Sequence, residues 1–292
     1  MKLIGSLTLD LTRTKINLRT WQENAVKRLL RSETPLMESQ MLLSHVLQKP
    51  REWIITNDKD ELTNEQISHL AAALDRLIEG EPLPYITGKR AFFGMDFLVS
   101  HDVLIPRPET ELLVEEAILW LEKNPSKRSA YDVGTGSGVI AICLADAIPD
   151  LKITAFDISN DALKVAKVNC SSFHHEDQVE FRQNNLLENI QDRVDLITAN
   201  LPYIPTDTLN SLNELRFEPR LALDGGNDGL RYIGPLLKQT ASLLRPGGLV
   251  LLEIEATIAE NVKKAAASYL QGAKIDILFD YANLPRIAKI TR

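Results

Sequence analysis

Asn200, Leu201, Pro202 and Tyr203 follow an apolar run, VDLIT (194–198), in the segment ANLPYIP. Asn-x-Pro is a good turn former, so a strand ending in a turn is the simplest reading of these residues. The chemistry they offer is more specific. A carboxamide oxygen and a backbone carbonyl can accept both hydrogens of a planar NH2 group, a proline keeps the turn rigid, and an aromatic ring can cover the plane. A second cluster is DVGTGSG (132–138), in which Gly134, Gly136 and Gly138 alternate with Thr135 and Ser137 between a strand and a helix. Such glycines let the backbone turn sharply and come close to a ligand. The next strand ends at Asp157 in AFDIS, where a carboxylate can accept bonds from both hydroxyls of a ribose. Together they point to a nucleoside-bearing cofactor. The loop has no GK[ST] to hold a triphosphate, and its spacing is GxGxG where dinucleotide enzymes have GxGxxG. At this level an NAD-dependent dehydrogenase stays open.

Other reactive side chains are less organised. His174 and His175 are adjacent on a connecting loop, and His45, His69 and His101 are scattered singly, so no metal site is expected. Cys143 and Cys170 lie in helical segments with no CxxC spacing. Arg107 and Glu109 precede a helix that they can cap, or they shape the cofactor pocket. Glu218 and Arg220 suit an ion pair, and Asp224, Gly225 and Gly226 suit a tight turn.

These clusters are carried by an alternation that starts near residue 129. SAYDVGT, ITAFDI, VEFRQ, VDLITAN and GLVLLEIE have the composition of buried strands. SGVIAICLADAI, SNDALKVAKVNC, DGLRYIGPLLKQTASLLR and TIAENVKKAAASYL carry helical periodicity between them. KIDILFD and RIAKITR close the chain as a pair of strands. The expected domain is α/β and Rossmann-like: a mainly parallel seven-stranded sheet, covered on both faces, with an antiparallel edge strand. Ligands of such sheets sit beyond the carboxyl ends of the strands, where both clusters fall. Upstream, 21–31, 35–47 and 67–80 read as helices of a small bundle, with a helix start near Thr63. YITGKRAFFGMDFLVSHDVLI (85–105) reads as strand-like, a hairpin linking the two domains. The expected divisions are an extension (1–17), a helical domain (18–84), the linking hairpin (85–105) and a catalytic domain (106–292).

The chain has 292 residues, 44% of them hydrophobic and 25% charged, as expected of a soluble globular protein. No stretch approaches the roughly 20 apolar residues of a membrane helix, and MKLIGSLTLDLTRTK has no continuous apolar core for a signal peptide. A cytoplasmic location without membrane contact is expected. The net charge of −7 is uneven, because residues 1–95 hold 13 Lys and Arg against 12 Asp and Glu. The remaining residues carry −8, which disfavours direct nucleic-acid binding by the catalytic part.

DVGTGSG, AFDIS and ANLPYIP, in this order, resemble the class I S-adenosylmethionine-dependent methyltransferases, and among them the amino-methylating group whose fourth strand ends in Asn-Pro-Pro-Tyr. PLPYITGKRAFFGMDFLVSHDVLIPRPETELLVEEA (82–117) and EPRLALDGGNDGLRYI (218–233) narrow the resemblance to the peptide chain release factor glutamine methyltransferases, IPRPETE being the most diagnostic stretch. The resemblance implies S-adenosyl-L-methionine as cofactor and a helical domain that docks the substrate protein. It also implies methyl transfer to N5 of the glutamine in the Gly-Gly-Gln motif of release factors. It assigns the substrate glutamine to Asn200, Leu201, Pro202 and Tyr203. The cofactor falls to Gly134, Thr135, Gly136, Ser137, Gly138, Asp157, Asn185, Leu186 and Asn200. Three positions depart from the family pattern. Leu201 stands for the first proline, Asn185 for an Asp near the adenine, and Glu255 for a glycine. The first is tolerable if residue 201 contributes only its carbonyl. The alternatives are an amino-methyltransferase acting on adenine or cytosine in nucleic acid, and a catalytically silent binding module in translation.

Overall fold

The computed structural model describes residues 16–292 as two compact units, one ending at Thr87 and one spanning Gly88–Arg292. Most of the expected N-terminal extension lies outside the described residues.

The first unit is helical: α1 (Leu18–Arg28), α2 (Pro35–Leu47), α3 (Arg51–Thr56), α4 (Asn64–Ile78) and α5 (Leu83–Thr87). Leu18, Trp21 and Ala25 recur at helical spacing on α1 and are buried with Leu42, Leu43, Ile54, Leu70 and Leu74. The helix starts are set by side-chain oxygens. Asn17 Oδ1 accepts from the Thr20 amide at 2.8 Å, which places the start of α1 three residues before the sequence reading. Thr63 and Gln66 form a reciprocal capping box on α4. Residues 85–87, placed in the strand-like run 85–105, instead end helix α5, and Pro84 sits in its first turn, where no amide donor is needed.

The second unit opens with the hairpin β1 (Lys89–Phe92) and β2 (Met95–Leu98). The sequence reading had a hairpin linking two domains, and this hairpin packs into the second unit. Phe92 and Phe97 are buried in this unit's core. The carboxamide of Asn169, itself buried, accepts from Leu98 N at 2.7 Å and donates to Leu98 O at 3.0 Å and to Ser137 O at 2.8 Å. There follow α6 (Glu109–Lys123), β3 (Ser129–Val133), α7 (Val139–Ala147), β4 (Lys152–Asp157), α8 (Asn160–Ser172), β5 (Val179–Gln183) and β6 (Val194–Ala199). After them come α9 (Thr206–Ser211), α10 (Ile233–Leu243), β7 (Leu244–Glu253), α11 (Ala259–Tyr269), β8 (Lys274–Phe279) and β9 (Pro285–Thr291). Among the described residues no helix is long and apolar enough to cross a membrane.

The seven strands are ordered β5-β4-β3-β6-β7-β9-β8. Pairing is parallel from β5 through β7, and β9 pairs antiparallel with both β7 and β8. Every residue of β6 is buried, as a central strand covered on both faces requires. One face is closed by α6 and α7, the other by α10 and α11. The chain runs outward from β3 through β4 and β5, then returns to the other side of β3 as β6. That reversal makes β3–β6 the topological switch point, where the loops diverge and leave a crevice. Register pairs Val133 with Ala199, so Gly134 and Asn200 leave the sheet side by side.

Asn169 is buried and makes three bonds between α8, the hairpin and the glycine loop. Asn169→Ala leaves those backbone groups without their partner and is expected to destabilise the second unit by about 2–3 kcal/mol, measured by denaturant unfolding. An unchanged midpoint would contradict this tie.

Candidate active site

The glycine loop is fixed from below. The Gly134 and Thr135 amides both donate to Phe156 O, at 2.8 and 2.9 Å. Thr135 and Thr198 donate their hydroxyls to the two oxygens of Asp132, at 2.6 and 2.9 Å, and burial pushes that carboxyl up to about 6. Gly134 has φ +73°, and a Cβ on it would lie 2.8 Å from Leu201 Cδ2. The Asp157 carboxylate accepts from Gly136 N and Ser159 N, both at 2.9 Å, and burial shifts its pKa upward. Each oxygen keeps a lone pair for a ligand hydroxyl.

Gly134, Thr135, Gly136, Ser137, Asp157, Asn185, Leu186, Asn200, Leu201 and Pro202 all line one cavity of about 270 Å³, together with Arg107, Thr110, Asn184, Leu221 and Tyr232. Gly138 and Tyr203 are not on its wall. Gly138 is the N-cap of α7. Tyr203, expected to close over a substrate amide, directs its hydroxyl to Glu253 Oε1 at 3.4 Å, and burial raises its pKa. Asn185 donates Nδ2 to Glu188 Oε1 at 2.6 Å. Leu201 is 4% exposed, and its side chain fills the wall beside Gly134.

Asn200 sits in a chain of polar groups. Its Nδ2 donates to Thr110 Oγ1 at 3.1 Å, and Thr110 donates to Glu253 Oε2 at 2.6 Å. Among the described residues nothing donates to Asn200 Oδ1, so that oxygen is available to a ligand in the cavity. Glu253 ends β7 and is 1% exposed. Its removal from water pushes the carboxyl up from 4.5 to about 7, against the opposing pull of the Thr110 bond and of Arg286. Thr110 and Glu253 were not singled out from the sequence. Thr110 lies among the charged residues of IPRPETE, where a single threonine carries no mark of its own. The legible sign for Glu253 was a carboxylate at the end of the buried run GLVLLE, which costs stability unless it has a use.

The loop 201–205 is clamped by the segment 223–229. Ile204 N donates to Leu223 O at 3.1 Å, Gly225 N to Ile204 O at 2.8 Å, and Thr206 N to Gly226 O at 2.9 Å. A Cβ on Gly225 would stand 2.6 Å from Tyr203 Cα, so only glycine allows this approach. Asp224 anchors the turn, accepting from Thr206 Oγ1 at 2.6 Å and Gly226 N at 3.0 Å. This also explains why α10 starts at Ile233, five residues after the periodicity suggested. Buried Glu218 pairs with Arg107 and accepts from Ile105 N, joining the two stretches that flank the cavity. Glu255, the departure from a family glycine, has φ −92° and caps a 3₁₀ turn by accepting from Thr257 N at 2.9 Å. An ordinary backbone angle there makes glycine unnecessary.

Because Glu253 holds its proton more tightly when folded, the folded state loses stability as pH rises from about 4.5 to about 7, by about 3 kcal/mol for the stated shift. Glu253→Gln removes that loss. The variant is expected to gain stability relative to the parent between pH 4.5 and pH 8, measured by denaturant unfolding at both pH values, and parallel curves would contradict a buried charge.

The cavity's polar groups fit a nucleoside bearing a positive charge better than a polyphosphate. Asp157 and the amide groups of Asn184, Asn185 and Asn200 face it, and its single Lys or Arg among the described residues, Arg107, is paired with Glu218. Comparison with known proteins bears on the whole chain. Residues 20–88 match the family description "PrmC N-terminal domain", and residues 108–212 match "Methyltransferase small domain". The release factor glutamine methyltransferase of Koribacter versatilis is 38% identical over 271 residues, 91% of this chain and 95% of that protein. The protein of the same name from Moorella thermoacetica is 38% identical over 275 residues, 93% of this chain and 97% of that protein. Among solved structures, a methyltransferase from Pyrococcus furiosus superposes with a TM-score of 0.51 at 17% identity, covering 76% of this chain and 98% of that one, which speaks to the fold alone. The two-unit architecture, the glycine crevice and the full-length likeness converge: the chain belongs to the release factor glutamine methyltransferase family.

Proposed function

We propose that the protein transfers a methyl group from S-adenosyl-L-methionine to the side-chain amide nitrogen (N5) of the glutamine in the Gly-Gly-Gln motif of peptide chain release factors. The observation that carries this reading is Asn200 Oδ1, open to the cavity beside the glycine loop while the same carboxamide's nitrogen is held by Thr110. When bound, the cofactor supplies a methyl group made electrophilic by a sulfonium. Asp157 and the loop Gly134–Ser137 are the residues that would hold its nucleoside, with Asn185 and Leu186 beside the base.

A glutamine nitrogen is a weak nucleophile because its lone pair is delocalised into the carbonyl. Its two N–H groups are donors, and a site with two fixed acceptors orients the nitrogen and enriches it slightly. Asn200 Oδ1 is one acceptor, and a backbone carbonyl of the turn at Leu201 and Pro202 is the other. Pro202, and the close packing of Gly225 under Tyr203, hold that turn rigid. Positioning of this kind is worth roughly 7–11 kcal/mol in favourable cases. No ionised base is required before attack, since the methylated amide loses its proton readily afterwards. Docking of the substrate protein is assigned to the helical unit, where Leu36, Met37 and Met41 of α2 are exposed. A base amino group of nucleic acid would suit the same two acceptors, but the −8 charge of residues 96–292 opposes a polyanion.

Incubated with labelled S-adenosylmethionine and either a release factor or DNA, the protein is expected to label the release factor. Label on DNA alone would overturn the reading. Asn200→Ala is expected to lose at least about 100-fold in kcat on the release factor while cofactor affinity changes much less, measured by kinetics and calorimetric titration. Near-normal turnover in that variant would contradict the role given to Asn200.

A further inference from the structure

A carboxamide is nearly symmetric in shape, and its two ends do opposite things. If Asn200 turned over, its NH2 would face the substrate NH2, donor against donor, and the site would hold nothing. The loop around Asn200 does not decide between the two orientations. Thr110 does not decide it alone either, since a hydroxyl donates and accepts equally well.

We propose that Thr110 and Glu253 are positioning residues for the methyl transfer: the buried carboxylate takes the threonine hydrogen, the threonine oxygen can then only accept, and Asn200 is thereby held with its oxygen toward the substrate. The inference rests on the glutamine-methylating reading of the site. The geometry is a relay across three elements, with Glu253 closing β7, Thr110 in the first turn of α6 and Asn200 following β6. The 2.6 Å bond from Thr110 to Glu253 is short, as for a charge-assisted donor, and the 3.1 Å bond from Asn200 is an ordinary one. An ionised carboxylate has no hydrogen to give, which makes it the one group here able to impose a direction. A protonated Glu253 donates to Thr110 instead. The threonine hydrogen is then free, both orientations of Asn200 are satisfied, and the selection is lost.

The charged and titratable groups facing Glu253 are Arg286 from β9, Glu109 from the start of α6 and the Tyr203 hydroxyl. Arg286 places its own hydrogen bonds on Asp280, at 3.0 and 3.2 Å. It favours the charged form of Glu253 from a distance and does not replace Thr110. A carboxylate that ionises inside a sheet lowers stability, and an amide of equal size would pack as well. The relay gives that charge a purpose.

The test uses the full chain with a release factor and labelled S-adenosylmethionine, over pH 5.5–8.5. Thr110→Val keeps the shape and removes the hydroxyl. It is expected to lower kcat by about 10- to 100-fold, with KM for the release factor within about twofold. Thr110→Ser is expected to restore most of that loss. The parent's kcat is expected to fall about twofold as pH drops through about 7 and then to level off, a step absent from Glu253→Gln. Thr110→Val with a kcat within twofold of the parent, or Glu253→Gln retaining that step, overturns the proposal. The glutamine variant remains decisive if the valine variant does not fold. Asn200→Ala run in parallel separates the two layers. If it is inactive while Thr110→Val is normal, only the relay falls. If it turns over normally, the glutamine reading falls as well.

Discussion

On the proposed reading, two hydrogens of a flat amide must find two acceptors at the mouth of a parallel sheet, and the parts around Asn200 meet that demand. One acceptor is a side-chain oxygen whose direction has to be chosen. The other is a backbone carbonyl whose turn has to be stiff. The first is addressed by Thr110 and Glu253 behind Asn200. The second is addressed by Pro202 and by the glycines that let residues 223–229 lie directly against residues 203–206.

Topology places these parts without further specification. The reversal of strand order between β3 and β6 opens a crevice, and register brings Gly134 and Asn200 out as neighbours. Leu201 fills the space above Gly134 and so packs the loop after β6 against the glycine loop. A buried Asn169 ties the same loop to the β-hairpin, so that the hairpin behaves as part of the catalytic unit. The diagnostic stretches 105–111 and 218–233 meet through Arg107 and Glu218, on the flank of the cavity.

Much of this was legible in the sequence. Runs such as VDLIT and the three alternating glycines declare a buried strand and a ligand loop, because only a few backbone solutions accommodate them. Glu255 shows how a departure from pattern becomes harmless once its φ is known to be negative. What escaped were relations between distant residues. Thr110 and Glu253 are 143 positions apart in sequence, and no local periodicity marks a bond between them. Tyr203 read as a lid because an aromatic ring can cover a planar amide, but in the loop clamped by residues 223–229 its hydroxyl turns to Glu253. Helix α5 was missed because five residues are too few to show a helical period.

The central claim concerns which end of one carboxamide faces the substrate. A crystal structure with S-adenosylhomocysteine and a Gly-Gly-Gln peptide, at a resolution that tells nitrogen from oxygen, measures it directly. The account predicts Asn200 Nδ2 on Thr110 and Asn200 Oδ1 within hydrogen-bonding distance, about 2.7–3.2 Å, of the glutamine nitrogen. A reversed carboxamide, or a glutamine side chain bound away from Asn200, would contradict it.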